Sequence, residues 1–587
     1  MKYHMKSLIL LMAASSVLTS AWAQTAADGV APEAKTQSTS KAVTAPVKAA
    51  NWMVSVANPH AARVAADVLR SGGNAIDAAI AAQAMLGLVE PQSSGLGGGA
   101  FLVYFDAASN QLTTLDGRET APLNATPTLF HDETGQPLKF FSAVVGGRSV
   151  GTPGTPALLW DMHRRWGKSP WNTLLEPAAK LAESGFSVSP RLAGLVERSA
   201  ESLSQHQTTA DYFLPGGRPV QTGDTLKNSN YANVLRTFQA GNGVSDFYRG
   251  SLANNIVQTV QGFAANPGLL DLADLQNYAV KQRQAVCAPY RTYQICGMGP
   301  PSSGALTVGQ ILSQLEPYDL KKLGAENPES WRLIGDSSRL AFADRGRYMA
   351  DSDFVPMPTK GLLKPDYIKT RSNLLSSPKA LEETKPGEPA WDHAQLQADD
   401  ESLELPSTTH FSIIDISGNV VSMTSTIENG FGSRLMTDGF LLNNELTDFS
   451  FRTHRDGIPI ANRLEPGKRP RSSMSPTIVM KDGKPVLAIG SPGGSRIIGY
   501  VAKTIIAHLD WGMDIQQAIS LPHLVNRFGT YDLEAGTAAE ELATPLTNLG
   551  YKVNIRDLNS GLHGIALTPT GLEGGADHRR EGVAIGE

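Results

Sequence analysis

The hydrophobic pattern changes character several times along the chain. A short apolar run at 8–18 follows Lys2 and Lys6 and is followed by Ala21, Trp22 and Ala23. A positive start, an apolar centre and a small-x-small end mark an export signal cut after residue 23. The run is shorter than a bilayer-spanning helix needs. Residues 24–50 carry Ala, Thr, Lys and Pro but almost no large apolar side chains, and they predict a disordered leader. Regular periods begin at residue 53. Residues 53–57 predict an apolar strand. Residues 60–70, entered through Pro59, and 75–89 predict two helices, separated by the Ser-Gly-Gly-Asn break at 71–74. The second helix is apolar nearly all round, which predicts burial, and Pro91 ends it.

The middle of the chain, 153–367, is mostly amphipathic helical sequence, as at 152–166 and 169–185, interrupted by a hairpin-like segment. Residues 384–406 have no sustained period. They hold Pro386, Gly387 and Pro389, then the acidic run Asp399-Asp400-Glu401, and they predict an exposed, flexible tether. Beyond the tether the chain turns β-rich. Strands are expected at 410–415 and 420–426, joined by Ile416-Ser417-Gly418-Asn419, and again at 477–480 and 486–489, with a helix at 501–509.

Composition narrows the function classes. The 587 residues are 41% hydrophobic and 18% charged, ordinary for a globular protein, and the formal net charge is −5. No basic stripe points to nucleic acid. After residue 23 no segment is apolar for long enough to span a bilayer, so a periplasmic or secreted protein is expected. The two cysteines, Cys287 and Cys296, sit in the hairpin-like segment with no companions for a metal set. An oxidising compartment favours a disulfide between them, and two buried free thiols are the other reading. No cofactor and no catalytic metal are expected. The glycines at 95 and 97–99 lack the Gly-Lys-Ser/Thr that would make a phosphate loop.

The chemistry centres on the junction Leu405-Pro406-Ser407-Thr408-Thr409-His410. A tether meets a strand that opens on two threonines. Cleavage after Ser407 would give Thr408 a free α-amine beside its own hydroxyl, so one residue would supply nucleophile and base. The bland reading is a strand edge, where threonine is common. The hairpin turning at Ser417-Gly418 places Thr426 opposite Thr408 and Thr409, within cross-strand reach. A second hydroxyl is therefore expected beside the first.

Seven blocks then carry a family resemblance. They are Gly95-Leu96-Gly97-Gly98-Gly99, residues 116–122 (Asp-Gly-Arg-Glu-Thr-Ala-Pro), 300–304 (Pro-Pro-Ser-Ser-Gly), 408–412 (Thr-Thr-His-Phe-Ser), 441–450 (Leu-Leu-Asn-Asn-Glu-Leu-Thr-Asp-Phe-Ser), 468–477 and 490–496. In order and spacing they resemble the γ-glutamyltransferase family, from about residue 50 to the end. The resemblance implies an N-terminal-nucleophile hydrolase with a four-layer αββα sandwich, an α+β fold. It implies a proenzyme that cuts itself at Ser407–Thr408 into a large subunit, 51–407 behind its leader, and a small catalytic subunit, 408–587, which remain a heterodimer.

The resemblance also implies residue roles. Thr408 matches the nucleophile, and Thr426 the threonine that orients it. Gly493 and Gly494 match the glycines whose N–H groups form an oxyanion hole, where glycine lets backbone donors come close. Arg118, Ser472 and Ser473 match the holders of the substrate α-carboxylate. Glu445 and Asp448 match the receivers of its α-ammonium. Glu428 stands where many members have asparagine, keeping acceptor oxygens but losing the amide donor. The stretch 451–467 is shorter than in members with a lid over the site. The expected substrates are glutathione and related γ-glutamyl compounds, with water, amino acids or peptides as acceptors. An acylase that removes glutaryl groups from β-lactam nuclei, and an inactive binding homologue, are the alternatives.

Overall fold

Alternation along strand Gly99–Asp106 shows how the layers stack. Ala100, Leu102 and Tyr104 enter an apolar core shared with helices Pro59–Arg70 and Ala75–Val89. Phe101, Val103 and Phe105 point the opposite way, into a second core with Ile295, Ile478 and Ile489 of another sheet. That core continues to helices Gly304–Gln314, Pro328–Tyr348 and Ile497–Leu509. The order is helix, sheet, sheet, helix, because a strand residue and its neighbour face opposite sides. The computed structural model describes residues 28–33, 45–241, 243–393, 395–400 and 402–587.

Among the described residues each central sheet has seven strands. In one, Met53–Val56, Thr409–Ile414, Val420–Thr426, Gly99–Asp106 and Gln111–Gly117 lie side by side, every pairing antiparallel. In the other, Gly571–Ala576, His563–Thr568, Lys484–Gly490, Thr477–Lys481, Tyr293–Gly297 and Val286–Tyr290 follow in order, also antiparallel. Thr408 thus stands at the head of a strand central to the first sheet. The expected αββα class is present, and the strands and helices read from periodicity lie within a few residues of their expected bounds. Ala75–Val89 is buried at every position, as its all-round apolar pattern requires. Asn74, inside the expected break, caps this helix in a reciprocal box with Asp77. Cys287 and Cys296 face each other across the hairpin and are joined as a disulfide.

Two expectations need correction. The leader 24–50 is not disordered where it is described. Val47–Ala49 adds an edge strand to Gly571–Ala576. Upstream, Glu33 is buried between Arg191 at 2.8 Å and Arg580 at 3.2 Å. Asp28 accepts from the Thr530 amide at 2.8 Å. Few apolar residues are needed, because buried arginines supply the contacts. The signal segment 1–23 lies outside the described residues.

The tether 384–406 is exposed only in part: residues such as Leu396 face solvent, but Gln397, Ala398, Glu404 and Leu405 are buried. Tyr348 donates to the Gly387 carbonyl, and Ala398 bridges to Ile460. The acidic run meets its counter-charges: Asp399 pairs with Arg347 at 2.7 Å and Asp400 with Arg471 at 2.9 Å. An acidic run with arginine partners from distant elements need not face solvent. Glu401 lies outside the described residues.

Candidate functional site

The hairpin register builds the first part of the site. Thr409 pairs with Ser425, so the next pair outward is Thr408 with Thr426. Their hydroxyl oxygens are 3.0 Å apart. The Thr426 oxygen accepts the Glu428 amide at 2.8 Å, which leaves its own proton free to point at Thr408. Thr408 has φ +84°, a left-handed backbone for a β-branched residue. Such a conformation costs about 1–3 kcal/mol and persists only where the surroundings enforce it. Here Arg580 Nη1 donates to the Thr408 carbonyl at 2.9 Å, and the Ser407 hydroxyl donates to the Gln92 carbonyl at 3.0 Å. The strained residue therefore lies at the expected cut and is gripped from both sides.

Gly494 reaches the same cavity, with Gly493 beside it, from the loop before helix Ile497–Leu509; their φ values are +59° and +137°. A Cβ on Gly494 would lie 2.6 Å from the Leu405 carbonyl oxygen, and one on Gly493 2.9 Å from the Tyr500 ring. Backbone shape and space both require glycine there.

Arg118 lies deeper, fully buried. It bonds Glu445, and Asp448 at 2.6 Å, and it donates to the carbonyls of Pro470 and Arg471 at 3.2 and 2.9 Å. Glu428 accepts from the Leu405 amide at 3.0 Å and from Asn444 at 2.5 Å. Carboxyl groups outnumber cations in this corner. Burial pushes the Glu445 and Asp448 carboxyls well above their ordinary range despite Arg118, and neighbouring acids add to the rise. Burial also raises Glu428, helped by the charge of Asp448. Glu119, beside Arg118, is pushed up to about 8 by burial. Such a corner lacks a positive charge.

Ser472 and Ser473 close the opposite wall. The Ser473 hydroxyl donates to the Glu404 carboxylate at 2.5 Å, and the Ser472 hydroxyl accepts the Met474 amide at 3.2 Å. The structure brings all the expected catalytic and substrate residues to one cavity: Thr408, Thr426, Gly494, Arg118, Glu428, Glu445, Asp448, Ser472 and Ser473 line it, and Gly493 adjoins Gly494. In the continuous chain Glu404 and Leu405 line it too, and it holds about 20 Å³, room for roughly one water.

Five further residues of the site were not singled out from the sequence. Glu404 belongs to the acidic tether, and nothing in its neighbours sets it apart. Arg471 lies inside a recognised block but without an assigned role. Arg345, on helix Pro328–Tyr348, and the pair Glu33 and Arg580 belong to no motif. Only the fold brings them together.

Comparison with known proteins gives a consistent picture. The family model "Gamma-glutamyltranspeptidase" matches residues 61–587. The glutathione hydrolase proenzyme of Bacillus subtilis (strain 168) is 39% identical over 547 residues, 91% of each chain. The acylase ACY 1 proenzyme of Pseudomonas sp. (strain V22) is 34% identical, covering 92% of this chain and 94% of its own. Among solved structures, a cephalosporin acylase from Bacillus halodurans superposes with a TM-score of 0.82 at 24% identity, covering 94% of this chain and 98% of that one. That likeness speaks for the fold. The Helicobacter pylori gamma-glutamyltranspeptidase is 32% identical with a TM-score of 0.55, covering 61% of this chain and 99% of that one.

Proposed function

The chain belongs to the gamma-glutamyltranspeptidase family, and from that premise we propose that it is an exported proenzyme which cleaves itself at Ser407–Thr408 and then transfers or hydrolyses γ-glutamyl groups, with glutathione as a donor. The observation that carries this reading is the Thr408–Thr426 hydroxyl pair at 3.0 Å, set at a strained peptide beside an acid-rich cavity.

In the first step the Thr408 hydroxyl attacks the Ser407 carbonyl carbon. The Ser407–Thr408 C–N bond breaks, the amide nitrogen takes a proton, and Ser407 is held as an ester on Thr408. Water hydrolyses that ester, leaving a Ser407 carboxylate and a free Thr408 amine. Relief of the Thr408 backbone strain favours the change. In the second chemistry the new amine takes the hydroxyl proton as the oxygen attacks the donor's γ-carbonyl. The Gly493 and Gly494 amides receive the oxyanion. The leaving amine departs protonated. Water, an amino acid or a peptide then takes the glutamyl group from Thr408. Glu445, Asp448 and Glu428 receive the α-ammonium, while Arg118, Ser472 and Ser473 line the α-carboxylate side. The two products of cleavage stay together as a heterodimer, because strand Thr409–Ile414 lies between Met53–Val56 and Val420–Thr426.

Incubation with glutathione tests the reading: free glutamate and cysteinylglycine should appear together. Turnover of a glutaryl amide without any release of glutamate would replace this reading with the acylase one.

A pH dependence follows from the raised carboxyls. In the continuous chain Glu119, Glu445 and Asp448 hold protons to higher pH than ordinary acids, because they are buried. An ammonium binds their ionised forms, so binding drives protons off and weakens as pH falls. The ratio of kcat/KM for γ-glutamyl over glutaryl anilides should therefore climb from about pH 6 toward about 8, where Glu119 titrates. Taking the ratio cancels the titration of the Thr408 amine. A ratio that is flat or falls over that range would count against the ammonium site.

A further inference from the structure

We propose that Glu33, brought in by the leader, is a positioning residue for self-cleavage: it couples the two arginine networks that hold the Ser407–Thr408 peptide. The proposal rests on the reading above that the chain cuts itself there.

The peptide to be cut is held from both sides. On one side Arg580 Nη1 donates to the Thr408 carbonyl at 2.9 Å. On the other the Ser407 hydroxyl donates to the Gln92 carbonyl at 3.0 Å. Glu33 is linked to both holds. Its carboxylate accepts from Arg580 Nη2 at 3.2 Å. It also accepts from Nε and Nη2 of Arg191, at 2.8 and 2.9 Å, a two-pronged contact that fixes its plane. Arg191 in turn reaches the segment around Gln92. Its Nη2 donates to Ser93 Oγ at 3.0 Å, and its Nη1 pairs with Glu90 at 3.2 Å. One carboxylate therefore ties the arginine on Thr408 to the arginine on the segment that holds Ser407.

Charge explains why this link is a carboxylate. Arg191 and Arg580 are both buried, and among the described residues Glu33 is the acid paired with Arg580. Burial and the charge of Arg191 both disfavour the Arg580 guanidinium, and Glu33 opposes them. Burial works to raise the Glu33 carboxyl, yet the Arg191 and Arg580 charges hold it down at about 2. Without Glu33, Arg580 would stay buried beside Arg191 with no anion bonded to it, which is costly. Its hold on the Thr408 carbonyl would loosen. The φ of +84° at Thr408 needs such a hold, since a β-branched residue keeps that backbone only where its surroundings enforce it.

The leader is docked so as to deliver this group. Asp28 accepts the Thr530 amide at 2.8 Å, and the Val30 carbonyl accepts from Arg496 Nη2 at 2.8 Å and Arg556 Nη1 at 3.1 Å. Asn559 Nδ2 donates to the Glu33 carboxylate at 3.0 Å. All of these partners lie beyond residue 408. Glu33 thus reaches Arg580 only once the part of the chain that becomes the small subunit has folded against the leader, and the cut waits for that folding.

The test follows conversion of the full-length chain into its two products on gels after a pulse of labelled amino acid. Glu33→Gln keeps the shape and removes the charge. It should slow the cut at least about 10-fold, the scale of one hydrogen bond to a charged group. Glu33→Asp keeps the charge with a shorter reach, and its rate should fall between those of Glu33→Gln and the wild type. Arg580→Lys should also slow the cut. Combined in one chain, Glu33→Gln and Arg580→Lys should give losses that do not multiply, because groups in one network are coupled. Unrelated structural damage at two places would multiply. A Glu33→Gln chain that cuts within about twofold of the wild type, or losses that multiply, would overturn the proposal. Should Glu33→Gln not fold, or Arg580→Lys not cut, Glu33→Asp decides: a slowed cut supports the assignment, and a rate equal to the wild type refutes it. If the wild type itself does not cut at Ser407–Thr408, the self-cleavage reading fails instead.

Discussion

Thr408→Ala should leave the protein as one uncut chain with γ-glutamyl turnover reduced by at least about 10⁴-fold, the scale seen when a nucleophile is removed. One hydroxyl is asked to serve twice. In the continuous chain it lies 3.0 Å from Thr426 and carries the strained φ of +84° at the bond to be cut. After cleavage the same oxygen takes the acyl group, with the new amine as its base. Alanine removes the oxygen from both reactions while keeping the fold, because the strand beyond it pairs through its backbone. Thr408→Ser keeps the oxygen and should still cut, if more slowly. Gel electrophoresis and N-terminal sequencing of the smaller chain decide the matter. A wild-type small chain beginning anywhere other than Thr408, or a Thr408→Ala protein that still divides, would remove Thr408 from the mechanism.

The second large effect concerns the donor. A γ-glutamyl donor should exceed the matched glutaryl donor by at least about 10²-fold in kcat/KM, since sites built around a polar group reject analogues lacking it strongly. The two differ only in the α-ammonium. Glu119, Glu428, Glu445 and Asp448 are buried together, and Arg118 is the cation bonded directly to Glu445 and Asp448. Burial, and after it the charge of neighbouring acids, raises the carboxyls of Glu428, Glu445 and Asp448. An ammonium would supply a positive charge there, whereas a glutaryl chain would leave the acids buried without their cation. The preference should shrink in Asp448→Asn, which loses the charge but keeps the shape. Equal or faster turnover of the glutaryl anilide by the wild type would remove the ammonium site and favour the acylase reading.

Much of this site was legible before any coordinates. The paired threonines follow from strand period and a short turn, since a hairpin's register is set by its own loop. Thr408 and Thr426 needed nothing from the rest of the chain to meet. Gly493 and Gly494 were legible only through the family resemblance, and the structure sets Gly494 against the Leu405 carbonyl and Gly493 against the Tyr500 ring. The Cys287–Cys296 pair was readable for the same local reason as the threonines, lying across a two-strand hairpin.

Residues whose meaning depends on distant partners were not legible. Asp399 and Asp400 read as part of an exposed acidic run and Glu404 was not singled out, because charge in sequence says nothing about which arginines face it. Arg347, Arg471 and Arg345 come from two separate elements and pair with Asp399, Asp400 and Glu404, the last two pairs buried. Glu33 likewise read as part of a leader with too little apolar surface to order. Arg191 and Arg580, 158 and 547 residues away in sequence, hold it. Local periodicity and turn chemistry therefore determined the elements, the hairpin and the meeting of Thr408 with Thr426. The tertiary structure alone decided where buried charges pair, because ion pairing acts through space between segments that no sequence period relates.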